Sequence, residues 1–192
     1  MAHIEEFILE LGPTLPGDLY DHPADDVWIA KDANVFDSVY INGPLIICPG
    51  AEVRQCAFIR GKAIVGNGAT VGNSCELKNC ILFNNSQIPH FNYCGDSIIG
   101  YKSHIGAGGI TSNLKSDKSL VVVKSADGEQ IETGIKKFGA ILGDNVEVGC
   151  NSVLNPGTVI GRNSTIYPTS CVRGFIPENS ILKTPDNVIT KR

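Results

Sequence analysis

Large apolar residues recur at every sixth position through the first half of the chain. With 42% hydrophobic residues overall, an unbroken run of ten such steps arises by chance roughly twice in ten thousand for one fixed register. The period matches neither the alternation of a half-buried strand nor the turn of an amphipathic helix. The ten positions are Ile29, Val35, Ile41, Ile47, Val53, Ile59, Val65, Val71, Leu77 and Phe83.

A mostly small residue lies four positions after each of these anchors, as at Ala51, Ala57 and Ala63. Hexapeptides with an aliphatic anchor and a small partner are typical of a parallel β-helix. We therefore predict an all-β protein in which three hexapeptides form one triangular coil, with the anchors stacked about 4.8 Å apart inside it. The left hand of the coil follows from this class of repeat, since the general crossover rule would give the opposite hand.

The repeat is interrupted in three places. Its phase slips around residues 89–97, after which it resumes at Ile99 and Ile105. Residues 4–10 could form a short helix that covers the open first coil, whose strand edge would otherwise be unpaired. Residues 112–138 carry a strand signal (LVVV), a turn signal (ADGE) and five lysines, which predict a loop that projects from the β-helix.

These interruptions divide the chain into three parts. Residues 1–28 form an N-terminal cap segment, residues 29–173 form the left-handed β-helix with its inserted loop, and residues 174–192 form a C-terminal cap or tail. Hexapeptides of the second half run from Leu142 to Val172.

Composition and charge narrow the class of protein. A net charge of −4 argues against broad nucleic-acid binding. The N-terminus carries acids where a signal peptide carries basic residues, and no apolar run of about 18 residues occurs, so we expect a cytoplasmic protein without a membrane span. Seven cysteines without a CxxC pair favour small packed residues over a disulfide framework or a zinc ribbon.

The flat sides of a β-helix provide no deep pocket, so we expect a site between subunits of a homotrimer, beside the projecting loop. His90 lies in the phase slip, three residues before Tyr93, and an imidazole there can act as a general base; the alternative is an ordinary surface or core histidine. His90 and His104 lack the spaced histidines of the zinc site in gamma-class carbonic anhydrases, so no metal is expected. The lysines of residues 112–138 are either solvated or collect a polyanionic cofactor.

Two segments resemble a known family. Residues 68–113, GATVGNSCELKNCILFNNSQIPHFNYCGDSIIGYKSHIGAGGITSN, resemble the acetyltransferase domain of the bifunctional glucosamine-1-phosphate acetyltransferase and N-acetylglucosamine-1-phosphate uridyltransferase. The later TGIKKFGAILGDNVEVGCNSVLNPGTVIG is similar to archaeal-type bifunctional sugar-phosphate nucleotidyltransferases. The most specific part is H-x-x-Y-x-G-D followed by IGAG and an Asn. The family's G-x-G-T-x-M signature has no counterpart here, so the chain resembles the acetylating half.

The resemblance implies a role for individual residues. His90 falls on the catalytic base, Tyr93, Arg60 and Lys78 fall on residues that hold the sugar phosphate, and Glu76 falls near them as a partner of the lysine. Asn113 falls beside the substrate and acetyl-CoA. Further positions implied at the cofactor are Ala107, Gly108, Cys150 and Pro168.

Four of the implied positions differ in residue type from the family. A sugar-contacting Asn is His104 here, and the Tyr after Asn113 is Leu114. A cofactor-contacting Ser is Cys150, and an Ala is Pro168. These differences leave the base and the phosphate-binding residues in place and bear on the sugar and on the fit of the cofactor.

The leading hypothesis is an acetyl-CoA-dependent N-acetyltransferase of nucleotide-sugar biosynthesis that acts on glucosamine or galactosamine 1-phosphate. Transfer would be direct, with His90 as base and backbone amides of residues 107–109 or Asn113 at the thioester oxyanion. An acyl-enzyme on Cys94 is a minor alternative. Two others are a different amino sugar or longer acyl donor, and a non-catalytic β-helix that binds a sugar phosphate or sugar nucleotide and partners a separate nucleotidyltransferase.

Overall fold

The computed structural model describes residues 1–184 and 186–191. A helix, α1 (Ile4–Leu11), and a short 3-10 turn (Gly12–Thr14) precede the strands. The strands are β1 (Tyr20–Ala24), β2 (Val27–Ala30), β3 (Asn34–Val35), β4 (Tyr40–Ile41), β5 (Leu45–Ile47), β6 (Glu52–Val53), β7 (Phe58–Ile59), β8 (Ala63–Val65), β9 (Thr70–Asn73), β10 (Glu76–Leu82), β11 (Gln87–His90), β12 (Tyr93–Ile99), β13 (His104–Ile105), β14 (Ile110–Thr111), β15 (Val122–Lys124), β16 (Gln130–Glu132), β17 (Ala140–Leu142), β18 (Glu147–Val148), β19 (Val153–Leu154), β20 (Thr158–Ile160), β21 (Thr165–Ile166), β22 (Cys171–Val172), β23 (Phe175–Ile176), β24 (Ser180–Thr184) and β25 (Asn187–Thr190).

Most strands pair in parallel with the strand one coil later and so build the three sides of a prism. Side 1 runs β2, β5, β8, β10, β12, β17, β20, β23. Side 2 runs β3, β6, β9, β11, β13, β18, β21, β24. Side 3 runs β4, β7, β10, β12, β14, β19, β22, so β10 and β12 each belong to two sides. The predicted hexapeptide β-helix is confirmed.

The anchors of the repeat fill the interior of the prism. Val53, Val65 and Val71 are fully buried in one continuous core, and Ala51, Ala57 and Ala63 pack beside them. Small residues at these positions leave room for the large anchors of the other two sides, which is why the two residue types alternate along the chain.

Phe83 was predicted to be an anchor, and this prediction is wrong. Its side chain is 50% exposed, and Leu82 is fully buried in its place. The phase slip begins earlier than predicted: Leu77 pairs with Ile59 and Cys80 with Ala63, so the chain is one residue shorter between Leu77 and Cys80. The same shortening recurs in β12 between Cys94 and Ser97, within the predicted slip at residues 89–97, and β12 pairs with β10 along both halves. As a result, both strands run unbroken across a corner where other coils turn.

The N-terminal helix does not cover the open first coil, contrary to the prediction. Ile4 and Ile8 of α1 pack with Trp28 and Ile46, which point outward from side 1. The helix lies along this side because the outward residues there are themselves apolar. The edge of the first coil is instead covered by β1, which pairs antiparallel with β2.

The segment around residues 112–138 forms a hairpin. Strands β15 and β16 pair antiparallel, and the turn between them lies at residues 125–129. At the C-terminus the coils of the β-helix continue past residue 173, since Ile176 and Leu182 join the core. Strand β25 then folds back and pairs antiparallel with β24. Within the described residues, no helix is long and apolar enough to cross a membrane.

Candidate functional site

The corner between sides 3 and 1 gathers polar side chains around one buried carboxylate. We call it the insert corner; it comprises residues 60–62, 78–79, 95–96, 155–157 and 173–174 and the inserted segment 112–138 that leaves from it. Asp96 is 3% exposed. Its oxygens accept hydrogen bonds from Lys78 Nζ at 3.0 Å and Asn79 Nδ2 at 2.7 Å, and also from Asn113 Nδ2. Three donors to one buried carboxylate make this the most highly connected polar group of the corner.

The shortened coils create this cluster. Asn79 and Asp96 both have positive φ, at 50° and 48°, so the tight turn is made inside β10 and β12 rather than by an extra residue. Lys78 pairs in register with Gly95 of the next coil, which places its side chain beside Asp96. The shortening thus brings the two charges together.

Tyr93 extends over the same corner from side 3. Its hydroxyl accepts a hydrogen bond from Asn113 Nδ2 at 3.1 Å. A Cβ atom at Gly95 would lie 2.4 Å from the Tyr93 hydroxyl oxygen, so glycine is required for the ring to lie there. Burial, and then the neighbouring Asp96 carboxylate, raise the pKa of Tyr93. The phenol is therefore a neutral hydrogen-bond donor at neutral pH.

Arg60 lies at the same corner one coil above Lys78. Its Nη1 is 2.8 Å from Glu76 Oε1, and both side chains are partly exposed. This hydrogen bond, and the charge of Glu76, raise the pKa of Arg60. The sequence resemblance placed Glu76 as a partner of Lys78, but in the structure Glu76 pairs with Arg60, and Lys78 pairs with Asp96.

A cavity of about 310 Å³ opens above this cluster, and we call it the upper pocket. Arg60, Lys62, Lys78 and Lys137 supply four cations to its lining, against the carboxylates of Glu5 and Asp96. The start of α1 and the end of the inserted segment form two of its walls. The excess of positive charge suits a small anionic ligand such as a phosphate ester.

The predicted catalytic and cofactor residues lie at a different corner, between sides 2 and 3. His90 is exposed at the end of β11, and its carbonyl accepts a hydrogen bond from the Gly108 amide at 3.0 Å. The Ala107 carbonyl accepts from Asn151 N, and the Cys150 carbonyl accepts from Thr169 N. We call this column the histidine corner; it comprises His90, Ala107, Gly108, Cys150 and Pro168.

The structure therefore separates the predicted residues into two groups within one chain. Arg60, Lys78, Tyr93 and Asn113 lie at the insert corner, whereas His90 and the cofactor residues lie at the histidine corner. The amide groups of Gly108 and Gly109 donate to the carbonyls of His90 and Gly106. Within this chain, these two amides are therefore occupied.

His104 belongs to neither corner. It points outward from side 2, and its Nδ1 is 2.9 Å from Glu147 Oε2 on the next coil. Cys94, the alternative nucleophile, is fully buried in the core, where it contacts Cys80. A residue facing the interior of the prism is closed to substrate, which removes the acyl-enzyme alternative on Cys94. Within residues 1–184 and 186–191, no group of three or more His, Cys, Asp and Glu is arranged to hold a metal ion.

Sequence reasoning missed Asp96 and Asn79 as parts of the cluster. Asp96 is the last residue of the motif H-x-x-Y-x-G-D, so the motif contained the signal. Its connection to Lys78 depends on the register between β10 and β12, which the six-residue spacing did not give.

Comparison with known proteins gives two family matches. The profile described as the GMPPB C-terminal domain matches residues 41–150, and that of the bacterial transferase hexapeptide (six repeats) matches residues 139–174. The bifunctional protein GlmU of Methanococcus aeolicus is 36% identical over 197 residues, covering 92% of this chain and 47% of the relative. The bifunctional sugar-1-phosphate nucleotidylyltransferase/acetyltransferase of Sulfurisphaera tokodaii is 36% identical over 157 residues, covering 72% and 39%.

The chain thus spans less than half the length of these two relatives. Among solved structures, PerB from Caulobacter crescentus in complex with CoA and GDP-perosamine is similar with a TM-score of 0.48 and 15% identity. The similarity covers 85% of this chain and 56% of that one.

Proposed function

The chain belongs to the family of the GMPPB C-terminal domain, and from this premise we propose that it is an acetyl-CoA-dependent N-acetyltransferase acting on an amino-sugar 1-phosphate. In this reaction the 2-amino nitrogen attacks the thioester carbonyl, an N–C bond forms and the C–S bond breaks. The nitrogen loses a proton, and the coenzyme leaves as its thiol. The Sulfurisphaera tokodaii relative, whose name includes acetyltransferase, supports this reaction class.

The observation that carries the proposal is the upper pocket with its four cations. A sugar 1-phosphate carries a dianion, and charge-assisted hydrogen bonds from Arg and Lys are the strongest contacts that side chains offer to it. In this proposal Arg60 and Lys78 hold the phosphate and neutral Tyr93 donates to it. Because Arg60 and Lys78 already have carboxylate partners, the phosphate competes with Glu76 and Asp96 for the same donors.

A complete site needs His90 as well, and we propose that it comes from a neighbouring subunit of a homotrimer. His90 is exposed at the histidine corner, while the phosphate-binding residues lie at the insert corner. Side 3, which joins the two corners, exposes Tyr40, Phe58 and Ile110 by 58%, 40% and 39%. Such an apolar face is typical of a surface that packs against another subunit.

At the joined corners, His90 would take the proton from the 2-amino group as it attacks. Ala107, Cys150 and Pro168 continue the histidine corner below His90 and would line the path of acetyl-CoA. Most of the remaining acceleration would come from holding the amine against the thioester.

The test is a thiol-release assay with acetyl-CoA and glucosamine 1-phosphate or galactosamine 1-phosphate. We expect turnover with one of these substrates and a loss of about a hundredfold or more in His90→Ala, the range for removal of a general base. The matched control is His22→Ala, a histidine that stacks on Trp28 in the N-terminal segment. If a folded trimer releases no thiol with either substrate, the proposal is wrong, and a sugar-phosphate-binding β-helix that partners a separate nucleotidyltransferase takes its place.

A further inference from the structure

The inserted segment builds a second cavity on the other side of its hairpin. Strand β15 lies directly on the insert corner next to β20. A Cβ atom at Gly157, whose φ is +80°, would lie 2.7 Å from the Val122 carbonyl oxygen. Val121 is 1% exposed, and its amide donates to the Ile135 carbonyl at 2.9 Å. The hairpin is therefore packed onto the β-helix and forms a fixed wall.

The cavity beneath this wall measures about 540 Å³, and we call it the lower pocket. That volume lies within the range of small-molecule sites. Its walls come from the inserted segment on one side and from residues 155–157 and 173–174 of the β-helix on the other. The proposed transfer reaction assigns no role to this space.

The charge of the lower pocket is positive. Lys115, Lys124 and Arg173 line it, with Asp117 as the acid among the lining residues. The Lys115–Asp117 distance is 3.8 Å, and Asp117 accepts hydrogen bonds from the amide and hydroxyl of Ser119. Among the residues that the structure describes, Lys124 and Arg173 have no ion-pair partner. Two cations are therefore available to an anion.

The wall that the inserted segment forms also carries apolar side chains. Leu114 is 41% exposed and Val122 is 36% exposed, and Pro156 of the β-helix also lines the pocket. An inorganic anion would leave this apolar surface in water, whereas a ligand with a ring system next to its phosphates would cover it. Cations beside apolar side chains match a nucleotide, which carries phosphates next to a ring system.

We propose that the lower pocket binds a nucleotide, with Lys124 and Arg173 on its phosphates and the Leu114–Val122 wall against its base or ribose. Two ligands have this chemistry: the adenosine bisphosphate end of coenzyme A and the diphosphate of a nucleotide sugar. The first of these rests on the proposed acetyl transfer, and the second does not.

The test is isothermal titration calorimetry of the full chain with three probes: adenosine 3′,5′-bisphosphate, UDP-N-acetylglucosamine and inorganic pyrophosphate. We expect one of the nucleotides to bind more tightly than pyrophosphate. Preference for the adenosine bisphosphate identifies coenzyme A as the source, and preference for UDP-N-acetylglucosamine identifies a nucleotide sugar.

Two variants locate the binding. Lys124→Ala combined with Arg173→Ala should weaken the preferred nucleotide by roughly tenfold or more, because charge-assisted bonds to phosphate are lost. Gly157→Ala should weaken it without removing a charge, by lifting β15. The control Lys183→Ala removes a cation that lies over Tyr167 on side 2. Nucleotide binding that is absent, no tighter than that of pyrophosphate, or unchanged in the double variant would overturn the proposal.

Because calorimetry needs no turnover, the two proposals can fail separately. A chain that binds a nucleotide at this pocket but releases no thiol retains the second inference and loses the first. A chain that releases thiol at a normal rate but binds no nucleotide in the lower pocket retains the proposed acetyl transfer and loses the nucleotide site.

Discussion

Asp96 has a role that the partly exposed Glu76 beside the same corner does not have. It is buried and accepts from Lys78, Asn79 and Asn113, whereas Glu76 is 31% exposed and pairs with one arginine that is 47% exposed. Desolvation makes an unsatisfied group at Asp96 costly, because water cannot replace the lost partner. Water can replace the partner of Arg60.

This contrast predicts unequal losses of stability for two conservative substitutions. Asp96→Asn should lower the free energy of unfolding by about 1–3 kcal/mol, the range for breaking buried hydrogen bonds to a charged group. Glu76→Gln should lower it by about 0–1 kcal/mol, as for exposed ion pairs. Urea denaturation of the two variants beside the wild type measures both. Equal losses would show that Asp96 does not organise the corner.

The sequence predicted some residues of the insert corner and missed others, for a physical reason. Arg60, Lys78, Tyr93 and Asn113 could be placed from a resemblance of local sequence, and the structure brings them to one corner. Asp96 could not be connected to them, since that requires the pairing of β10 with β12.

At the scale of elements, the hydrophobic period predicted the strands well wherever the coil has eighteen residues. The period predicted Phe83 as an anchor wrongly because the six-residue spacing was continued through a turn that is one residue shorter. That turn contains no proline or glycine that would indicate the shortening. Lys78 and Asn79 occupy that turn, and Asn79 makes it by adopting positive φ. Hydrophobic patterns report the polarity of side chains. The loss of one corner residue changes the backbone conformation and leaves side-chain polarity unchanged, so the pattern did not reveal it.

The N-terminal helix and strand β1 cover different surfaces from those predicted. An amphipathic pattern at residues 4–10 predicts a helix but does not say which apolar surface it covers. Trp28 and Ile46 on side 1 decide this, because they point outward and need burial. The edge of the first coil is covered by β1, in which Tyr20 pairs with Ala30 of β2.

Tyr20 makes the contribution of β1 dependent on pH. Burial, and then Cys48, raise its pKa from 10.0 to about 12. Below pH 10 the tyrosine is protonated in both states and its contribution is fully present. Between pH 10 and 12 the unfolded chain releases this proton while the folded chain retains it, so the stabilisation is lost as pH rises.

We therefore expect Tyr20→Phe to flatten the fall in stability above pH 10. Urea unfolding on both sides of that pH measures the slope, and tyrosinate absorbance measures the ionisation directly. Tyr40→Phe serves as the control, because Tyr40 is 58% exposed on side 3. A slope in Tyr20→Phe that matches the wild type would contradict the assignment to β1.

The whole molecule has its two candidate corners, the insert corner and the histidine corner, on opposite edges of side 3. The insert corner carries both pockets and the residues that we propose to bind the phosphate, and the histidine corner carries His90. The prism geometry follows from the repeat and could be predicted from the sequence. The resemblance to bifunctional sugar-1-phosphate enzymes could also be predicted, and the relatives confirm it. The sequence did not predict that these residues lie at two different corners. Spacing along the chain shows which residues occupy the same coil, but it does not show which of them lie close enough to form one site.

Two corners on one chain are compatible with one active site if neighbouring subunits supply one corner each. In that case Lys78→Ala and His90→Ala disable different halves of each site. Each variant alone should be inactive, and a trimer containing both should recover sites where an intact His90 meets an intact Lys78. With random mixing at equal amounts, about one site in four is intact, so about a quarter of wild-type turnover should return.

The experiment mixes the two variants by co-expression, with light scattering to establish that the product is a trimer and with each variant alone as the baseline. The double variant mixed with Lys78→Ala is the control, because this mixture contains no intact Lys78 and so should stay inactive. No recovery in a mixed trimer would place His90 and Lys78 of the same chain in one site, and the substrate would then have to span side 3. Recovery near a quarter would establish that the site forms only between subunits, which explains why one chain carries a complete set of residues without bringing them together.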